Sequence, residues 1–273
     1  MITSATAMPV LLIGVFLGTG TQAVAQTFTF ERSFPATAST ILDVTTERGK
    51  ITVRAGTTAE VVVVGRVSRR VAWNSPRNAV ALARSTAAQP PIEFTGDTVR
   101  LQKPNDGRTQ RPVTIAYDVQ VPAGTRVVTH SQSGETRVET GSGAVSIDRA
   151  GPLSVTTSSS GIEMKRIRGT LYVRTQSGQV WVSGNPRRPW KVTTGSSAIT
   201  AEFSANAAFF IDATSGSGAV ESQNLVIRGE SDKRRVEGSL AGGGPIVQLR
   251  SRSGSITPRS APSTSGNSAR ART

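Results

Sequence analysis

Residues 173–182 read VRTQSGQVWV, and the same short phrase returns along the second half of the chain. It recurs at Ser142-Gly143, Ser217-Gly218 and Ser253-Gly254, where a valine or isoleucine follows two residues after the glycine. The glycine of each pair, or Ser197 in its place, lies at positions 134, 143, 161, 178, 197, 218 and 254. The successive spacings of 9, 18, 17, 19, 21 and 36 residues indicate a period near 18 with one degenerate copy.

A repeat of this length is too short for two helices and suits one coil of a parallel β-solenoid. Strand alternation then places Val173, Thr175 and Ser177 inside the solenoid, and Tyr172 and Arg174 outside. Glycine is expected after serine because each coil must turn within one or two residues, and glycine tolerates a positive φ. The frame slips at residues 160–161, which predicts a one-residue bulge there.

The first half of the chain has a different pattern. From residue 27 to about 122, apolar and polar residues alternate in short runs, which is typical of strands. Asn74-Ser75-Pro76 opens an Ala-rich stretch that ends at residue 88, which predicts a short helix. We therefore expect an all-β, single-chain β-solenoid resembling a parallel β-helix. Its repeats would occupy residues 123–257, after a strand-rich N-terminal part, 26–122, that contains the helix.

The beginning of the chain is typical of a secretory signal peptide. Residues 1–25 carry no charged side chain, and an apolar run at 8–17 precedes the small-residue triplet Ala23-Val24-Ala25. Such a run is too short to span a bilayer, so the mature chain from Gln26 would have no transmembrane anchor. We expect an exported protein that is periplasmic, secreted or on the cell surface. Residues 258–273 are expected to form a disordered basic tail.

Composition excludes several kinds of site. The chain has 273 residues, no cysteine, one histidine and a formal net charge of +14. Disulfides, thiolate nucleophiles and cysteine-rich zinc sites are excluded, and one histidine cannot form a histidine metal site, so we expect no metal and no cofactor. The positive charge favours an anionic polysaccharide or another envelope component as partner. A protein partner also stays open, whereas no motif indicates specific nucleic-acid binding.

The repeated Val-x-Thr-x-Ser-Gly-x-Val phrases, the leader and the ending GGGPIVQLRSRSGSI at 242–256 resemble the bacterial putative-adhesin family of β-solenoid domains of unknown function. The resemblance covers roughly residues 40–257. It implies an exported or envelope-associated protein, and it defines no catalytic motif that could be carried over. The sequence departs from the family pattern at Ser197, where glycine is expected, and between Asn224 and Leu240, where the repeat is hard to trace.

We expect no catalytic activity, because the carboxylates of the repeat region are scattered singly. They are Glu135, Glu139, Asp148, Glu163, Glu202, Asp212 and Glu221. His130 lies near Ser131, but no nucleophile elbow surrounds the serine. Two alternatives stay open. One is a carbohydrate-active β-helix enzyme resembling a polysaccharide lyase, and the other is a structural module that self-assembles through the open ends of the solenoid.

Aromatic and cationic side chains at outward positions of adjacent coils indicate a ligand-binding surface. Aromatic faces stack on sugar rings, and arginine forks pair with carboxylate, sulfate or phosphate. The alternative is that the tryptophans only pack against the loop at 185–189 and shield the edge of a coil. The candidate ligand-binding residues are Tyr172, Arg174, Trp181, Arg187, Arg188, Trp190 and Lys191.

Overall fold

A computed structural model describes residues 27–37, 39–69, 78–104, 113–132 and 134–261. The signal peptide expected at 1–25, the helix-opening residues 74–76 and most of the expected tail lie outside these ranges. Within them, the prediction of an all-β solenoid with one short helix is confirmed.

The elements run along the chain in two groups. The first group comprises β1 (Thr27–Pro35), β2 (Ile41–Thr46), β3 (Ile51–Gly56), β4 (Glu60–Arg69), α1 (Ala79–Ala88), β5 (Ile92–Thr95), β6 (Thr98–Leu101) and β7 (Val113–Pro122). The second comprises β8 (Arg126–Ser131), β9 (Thr136–Thr140), β10 (Val145–Asp148), β11 (Leu153–Thr157), β12 (Ile162–Ile167), β13 (Leu171–Thr175), β14 (Val180–Gly184), β15 (Trp190–Thr194), β16 (Ile199–Phe203), β17 (Phe209–Ser215), β18 (Arg228–Ser231), β19 (Arg235–Leu240), β20 (Ile246–Ser251) and β21 (Ile256–Ser260).

Each coil gives one strand to each of two sheets. The first sheet has the order β1-β4-β7-β3-β9-β11-β13-β15-β20-β17-β19-β18, and the second has the order β21-β16-β14-β12-β10-β8-β2-β6-β5. The coils stack in parallel register, so that Val155 pairs with Val138 on one side and with Val173 on the other. These valines are fully buried. Because strand side chains alternate, such ladders fill the core between the two sheets and leave polar residues outside.

The coils do not stack in the order of the sequence. β20 lies between β15 and β17, and β21 pairs with β16. The last coil in the sequence is therefore inserted between the coil formed by β15 and β16 and the earlier strand β17. The residues between β17 and β20 form an antiparallel pair, β18 and β19, at the C-terminal end. The expected degenerate copy is therefore wrong: the 36-residue spacing arises because the chain leaves the stack and returns to it.

The N-terminal end is also closed by antiparallel strands. β1, β4 and β7 extend the first sheet, and the β5–β6 pair extends the second. The predicted helix is present as α1, which packs against β1 and β4 through Ala83 and Ala87. β2 and β3 already pair in parallel with β8 and β9, so strands before residue 122 share both sheets with the later coils. β21 extends through Ser260, into the segment expected to be the tail.

The corner glycines have a different physical reason from the one expected. Gly143 and Gly254 are not among the residues with positive φ. A Cβ added to Gly143 would lie 1.8 Å from the carbonyl oxygen of Thr125, and one on Gly254 would lie 2.0 Å from that of Ser197. Glycine is therefore required because consecutive coils approach each other closely at the corner, where a side chain would collide with backbone.

At several corners, the residue three positions before the glycine closes the turn. The Gly178 N–H donates to Oγ1 of Thr175 at 3.2 Å, and the Gly254 N–H donates to Oγ of Ser251 at 2.8 Å. Ser177 is exposed, so its predicted inward position is wrong: the chain stops alternating at the corner. The bulge expected at residues 160–161 is also displaced, because the register shift lies between Met164 and Ile167.

Candidate functional site

The outward surface of four central strands of the first sheet has a composition unlike that of its flanks. Strands β11, β13, β15 and β20 carry the sequences LSVTT, LYVRT, WKVTT and IVQLRS, none of which contains a carboxylate. We call the outward side chains of these four strands the central face. Its strands are parallel and in register, at the usual spacing of about 4.8 Å between neighbouring strands.

Three of the predicted site residues lie together on the central face. Tyr172 is the register partner of Lys191 on the next strand, and Arg174 is the partner of Thr193. Tyr172 is 38% exposed, one of few large apolar side chains that reach solvent. Arg174 and Lys191 are exposed, and neither forms an ion pair with any residue that the structure describes.

Several cations on either side of the central face are paired with carboxylates. On the N-terminal flank, Arg54 lies 2.9 Å from Asp118 and Arg137 lies 2.8 Å from Glu139. On the C-terminal side, Arg250 at the rim of the central face holds the carboxylate of Asp212. Between these pairs, Arg174 and Lys191 have no described carboxylate as counterion, so they are free to attract an anion.

A basic corner adjoins this face. Arg187 and Arg188 are exposed in the connection from β14 to β15, which leads directly to Lys191. Arg168 lies in the equivalent connection from β12 to β13, and Arg149 lies in the one from β10 to β11. Both side chains are exposed. Sequence reasoning missed these last two, although the 19-residue spacing from Arg149 to Arg168 to Arg187 matches the repeat. None of the four forms an ion pair with a described residue.

The two tryptophans do not lie on this surface, so the expectation that all seven residues share one side is wrong. Trp190 is 1% exposed, and its Nε1 donates to the Gly169 carbonyl oxygen at 3.1 Å. Its ring packs against Phe203 in the core. Trp181 points outward, but it belongs to the second sheet, where Lys165 lies 5.7 Å from its ring centre. The reversal of the chain between β13 and β14 separates Trp181 from Tyr172.

The carboxylates of the second sheet form ion pairs instead of an acid–base pair. Asp148 lies 3.7 Å from Nδ1 of His130 and contacts Arg166, and Glu202 lies 2.8 Å from Arg259. A cleft of about 480 Å³ at the C-terminal end contains one charged side chain, Arg228. In the described ranges, no group of three or more His, Asp and Glu side chains could hold a metal ion.

Comparison with known proteins identifies the family. Residues 116–258 match the family model described as Toastrack DUF4097. The chain belongs to this Toastrack family. The matched range contains the central face and the basic corner, and the match confirms the resemblance to a putative-adhesin family of unknown function. Among the residues described here, no helix of the Toastrack protein is long and apolar enough to cross a membrane.

Two solved structures are similar to the Toastrack chain. A putative cell adhesion protein from Clostridium sporogenes is 14% identical, with 86% of this chain and 100% of that chain covered and a TM-score of 0.29. A putative adhesin from Bacteroides fragilis is 12% identical, with 85% and 97% covered and a TM-score of 0.26. Comparison with curated proteins gives no match.

Proposed function

We propose that this Toastrack protein is an exported, non-catalytic, adhesin-like scaffold whose central face binds an acidic polysaccharide. The observation that carries this proposal is the pair of cations without counterions, Arg174 and Lys191, beside the exposed ring of Tyr172. A bound anion has no protein carboxylate to displace there.

The chemistry of the three side chains is complementary. Arginine presents a planar fork that pairs with two carboxylate or sulfate oxygens at once, whereas lysine acts as a point charge. The Tyr172 ring offers an apolar face to a sugar ring and a hydroxyl to its oxygens. Together they suit a chain of sugars that carries acidic groups.

The shape of the surface suits a polymer better than a small molecule. The central face is an open strand surface, and small ligands usually bind in concave pockets that bury most of their surface. A polymer can gain affinity from many weak contacts along the stack of coils. Arg168, Arg187 and Arg188 extend the positive surface beyond the strands and would raise the local concentration of a polyanion.

Export is the second part of the proposal. It is supported by the uncharged leader, whose apolar run at 8–17 ends shortly before the triplet Ala23-Val24-Ala25. Acidic polysaccharides of the envelope lie outside the cytoplasmic membrane, so the proposed location and ligand agree. Mass spectrometry of the mature protein tests this part: an N-terminus at Gln26 supports export, and an intact N-terminus in the cytoplasm contradicts it.

The binding proposal is tested with a triple variant, Tyr172→Ala with Arg174→Gln and Lys191→Gln. We expect at least a ten-fold loss of affinity for alginate, a carboxylated polysaccharide, measured by calorimetry at moderate salt. The matched control is Arg54→Gln with Arg137→Gln, which removes the same charge from the same sheet at paired positions. Equal losses in both variants would mean that net charge alone binds alginate and would overturn the proposed site.

A further inference from the structure

Two large apolar side chains lie exposed next to each other at one end of the first sheet. Phe210 on β17 and Ile246 on β20 are register partners on the outer surface of the sheet. They are 48% and 57% exposed. A neighbouring pair of such side chains is unusual on a soluble surface and marks an interaction site more often than a scattered single residue does.

The pair continues toward the basic corner. Val247 pairs with Trp190, so the residues before them, Ile246 and Pro189, lie side by side by continuation of that register. Pro189 is exposed and follows Arg188 directly. We call Pro189, Ile246 and Phe210 the apolar ridge. The ridge crosses the beginnings of β15, β20 and β17, and Arg187 and Arg188 lie at its Pro189 end.

The electrostatic surroundings of the ridge are positive at its Pro189 end. Arg187 and Arg188 form no ion pair with a described residue, and Lys191 lies two residues beyond Pro189. The nearest carboxylate along β17 belongs to Asp212, and Nη1 of Arg250 donates to it at 2.8 Å. The ridge therefore combines exposed apolar side chains with uncompensated positive charge at its Pro189 end.

We infer that the apolar ridge and its arginines dock the protein on the surface of an anionic lipid bilayer. Phe210 and Ile246 would enter the boundary between headgroups and acyl chains, and Arg187 and Arg188 would pair with lipid phosphates. The ridge shares none of Tyr172, Arg174 and Lys191, on which the polysaccharide proposal rests, although Arg187 and Arg188 also belong to the basic corner that extends that site. A chain docked in this way would hold the first sheet close to the membrane.

Charge favours a bilayer over a second copy of the chain. In a two-fold dimer the ridge would pack against a second ridge, so the arginines at its end would meet apolar side chains or the partner's arginines, and the ridge offers them no carboxylate. A polysaccharide alone would leave Ile246 without a partner, because an aliphatic side chain offers no stacking surface to a sugar. An anionic membrane satisfies both the cations and the apolar side chains.

Vesicle sedimentation tests the inference. The purified protein should bind vesicles of phosphatidylglycerol mixed with phosphatidylcholine at least ten-fold more tightly than vesicles of phosphatidylcholine alone. Phe210→Ser with Ile246→Ser should lower that binding at least ten-fold. The matched control is Phe94→Ser, an exposed aromatic on β5 of the other sheet, which should leave vesicle binding unchanged.

Further readouts keep the inference separate from folding and from the polysaccharide site. The Phe210/Ile246 variant should keep its alginate affinity, which shows that it is folded and that the two surfaces act independently. Should that variant fail to fold, Arg187→Glu with Arg188→Glu in the exposed turn should give the same loss of vesicle binding. The inference is overturned if the folded variants bind vesicles like the parent, or if light scattering shows that they change a dimer into a monomer instead.

Discussion

Gly178 lies directly against the backbone of the preceding coil: a Cβ added to it would stand 1.5 Å from the carbonyl oxygen of Ser160. The N–H of the same glycine is bound by Oγ1 of Thr175, which closes the corner. The corner is thus tightened by two contacts, one within the coil and one between coils. Stacking of strands β13 and β15, which carry the proposed polysaccharide site, depends on such corners.

Substitution of the corner glycine should be severe. Gly178→Ala is expected to lower the free energy of unfolding by about 3 kcal/mol or more, because the added methyl group collides with backbone that cannot rotate away. Gly161→Ala is the control, since nothing lies within 4 Å of an added Cβ there. Its stability should be unchanged or raised by up to about 1 kcal/mol. Urea unfolding measures both, and equal stabilities would contradict the close approach.

The hydroxyl of Thr175 should matter more than its methyl group. Thr175→Val leaves the Gly178 N–H and the Thr157 hydroxyl without their buried acceptor and should cost about 1 to 3 kcal/mol. Thr129→Val is the matched control, because Oγ1 of the buried Thr129 has no hydrogen-bond partner among the described residues. That variant should be neutral or more stable in urea unfolding. A loss of the same size at both positions would show that the corner bond contributes nothing.

The two tryptophans should respond in opposite ways to truncation. Trp190→Ala removes a core ring and its bond to Gly169, and it should cost about 3 to 5 kcal/mol. Trp181→Ala removes an outward ring on the second sheet and should cost less than about 1 kcal/mol. Thermal unfolding compares them. Comparable losses would mean that Trp181 also supports the core.

Stability should fall at alkaline pH because of one buried phenol. Burial raises the pKa of Tyr117 well above its ordinary value of 10.0, and its hydroxyl donates to the Gln102 carbonyl oxygen at 2.7 Å. Above pH 10 the unfolded chain loses a proton that the folded chain keeps, so the free energy of unfolding falls by up to about 1.4 kcal/mol per pH unit. Tyr117→Phe should remove this part of the slope between pH 9 and 11. An unchanged slope in urea unfolding would exclude the burial of the phenol.

The period of the sequence was enough to predict the solenoid and the inward ladders, because close packing between two sheets requires an apolar residue at every second position. The same alternation should have placed Trp190 inside, since it lies two residues before the inward Val192. Trp181 lies on the second sheet because the chain turns at the corner 175–178. The sequence of that corner does not indicate that the strand after it joins the other sheet. The inserted position of β20 could not be predicted either, because it depends on pairing with residues more than fifty positions away.

The candidate site was partly predictable for a related reason. Outward positions followed from alternation, so Tyr172, Arg174 and Lys191 could be found. Whether a surface cation is free depends on the register of the neighbouring strand. Arg54 and Arg174 occupy the same outward row, but only Arg54 has a carboxylate, Asp118, within reach.

The salt dependence of alginate binding by the protein from Gln26 onward tests the central claim most directly. Affinity should be measured at low salt and at about 0.15 M, where the Debye length is about 8 Å and dispersed surface charges are largely screened. The account predicts that binding to alginate persists at the higher salt while neutral dextran does not bind, because the Arg174 and Lys191 contacts beside Tyr172 are short-range. Complete loss of alginate binding at about 0.15 M salt would contradict a shaped site on the central face.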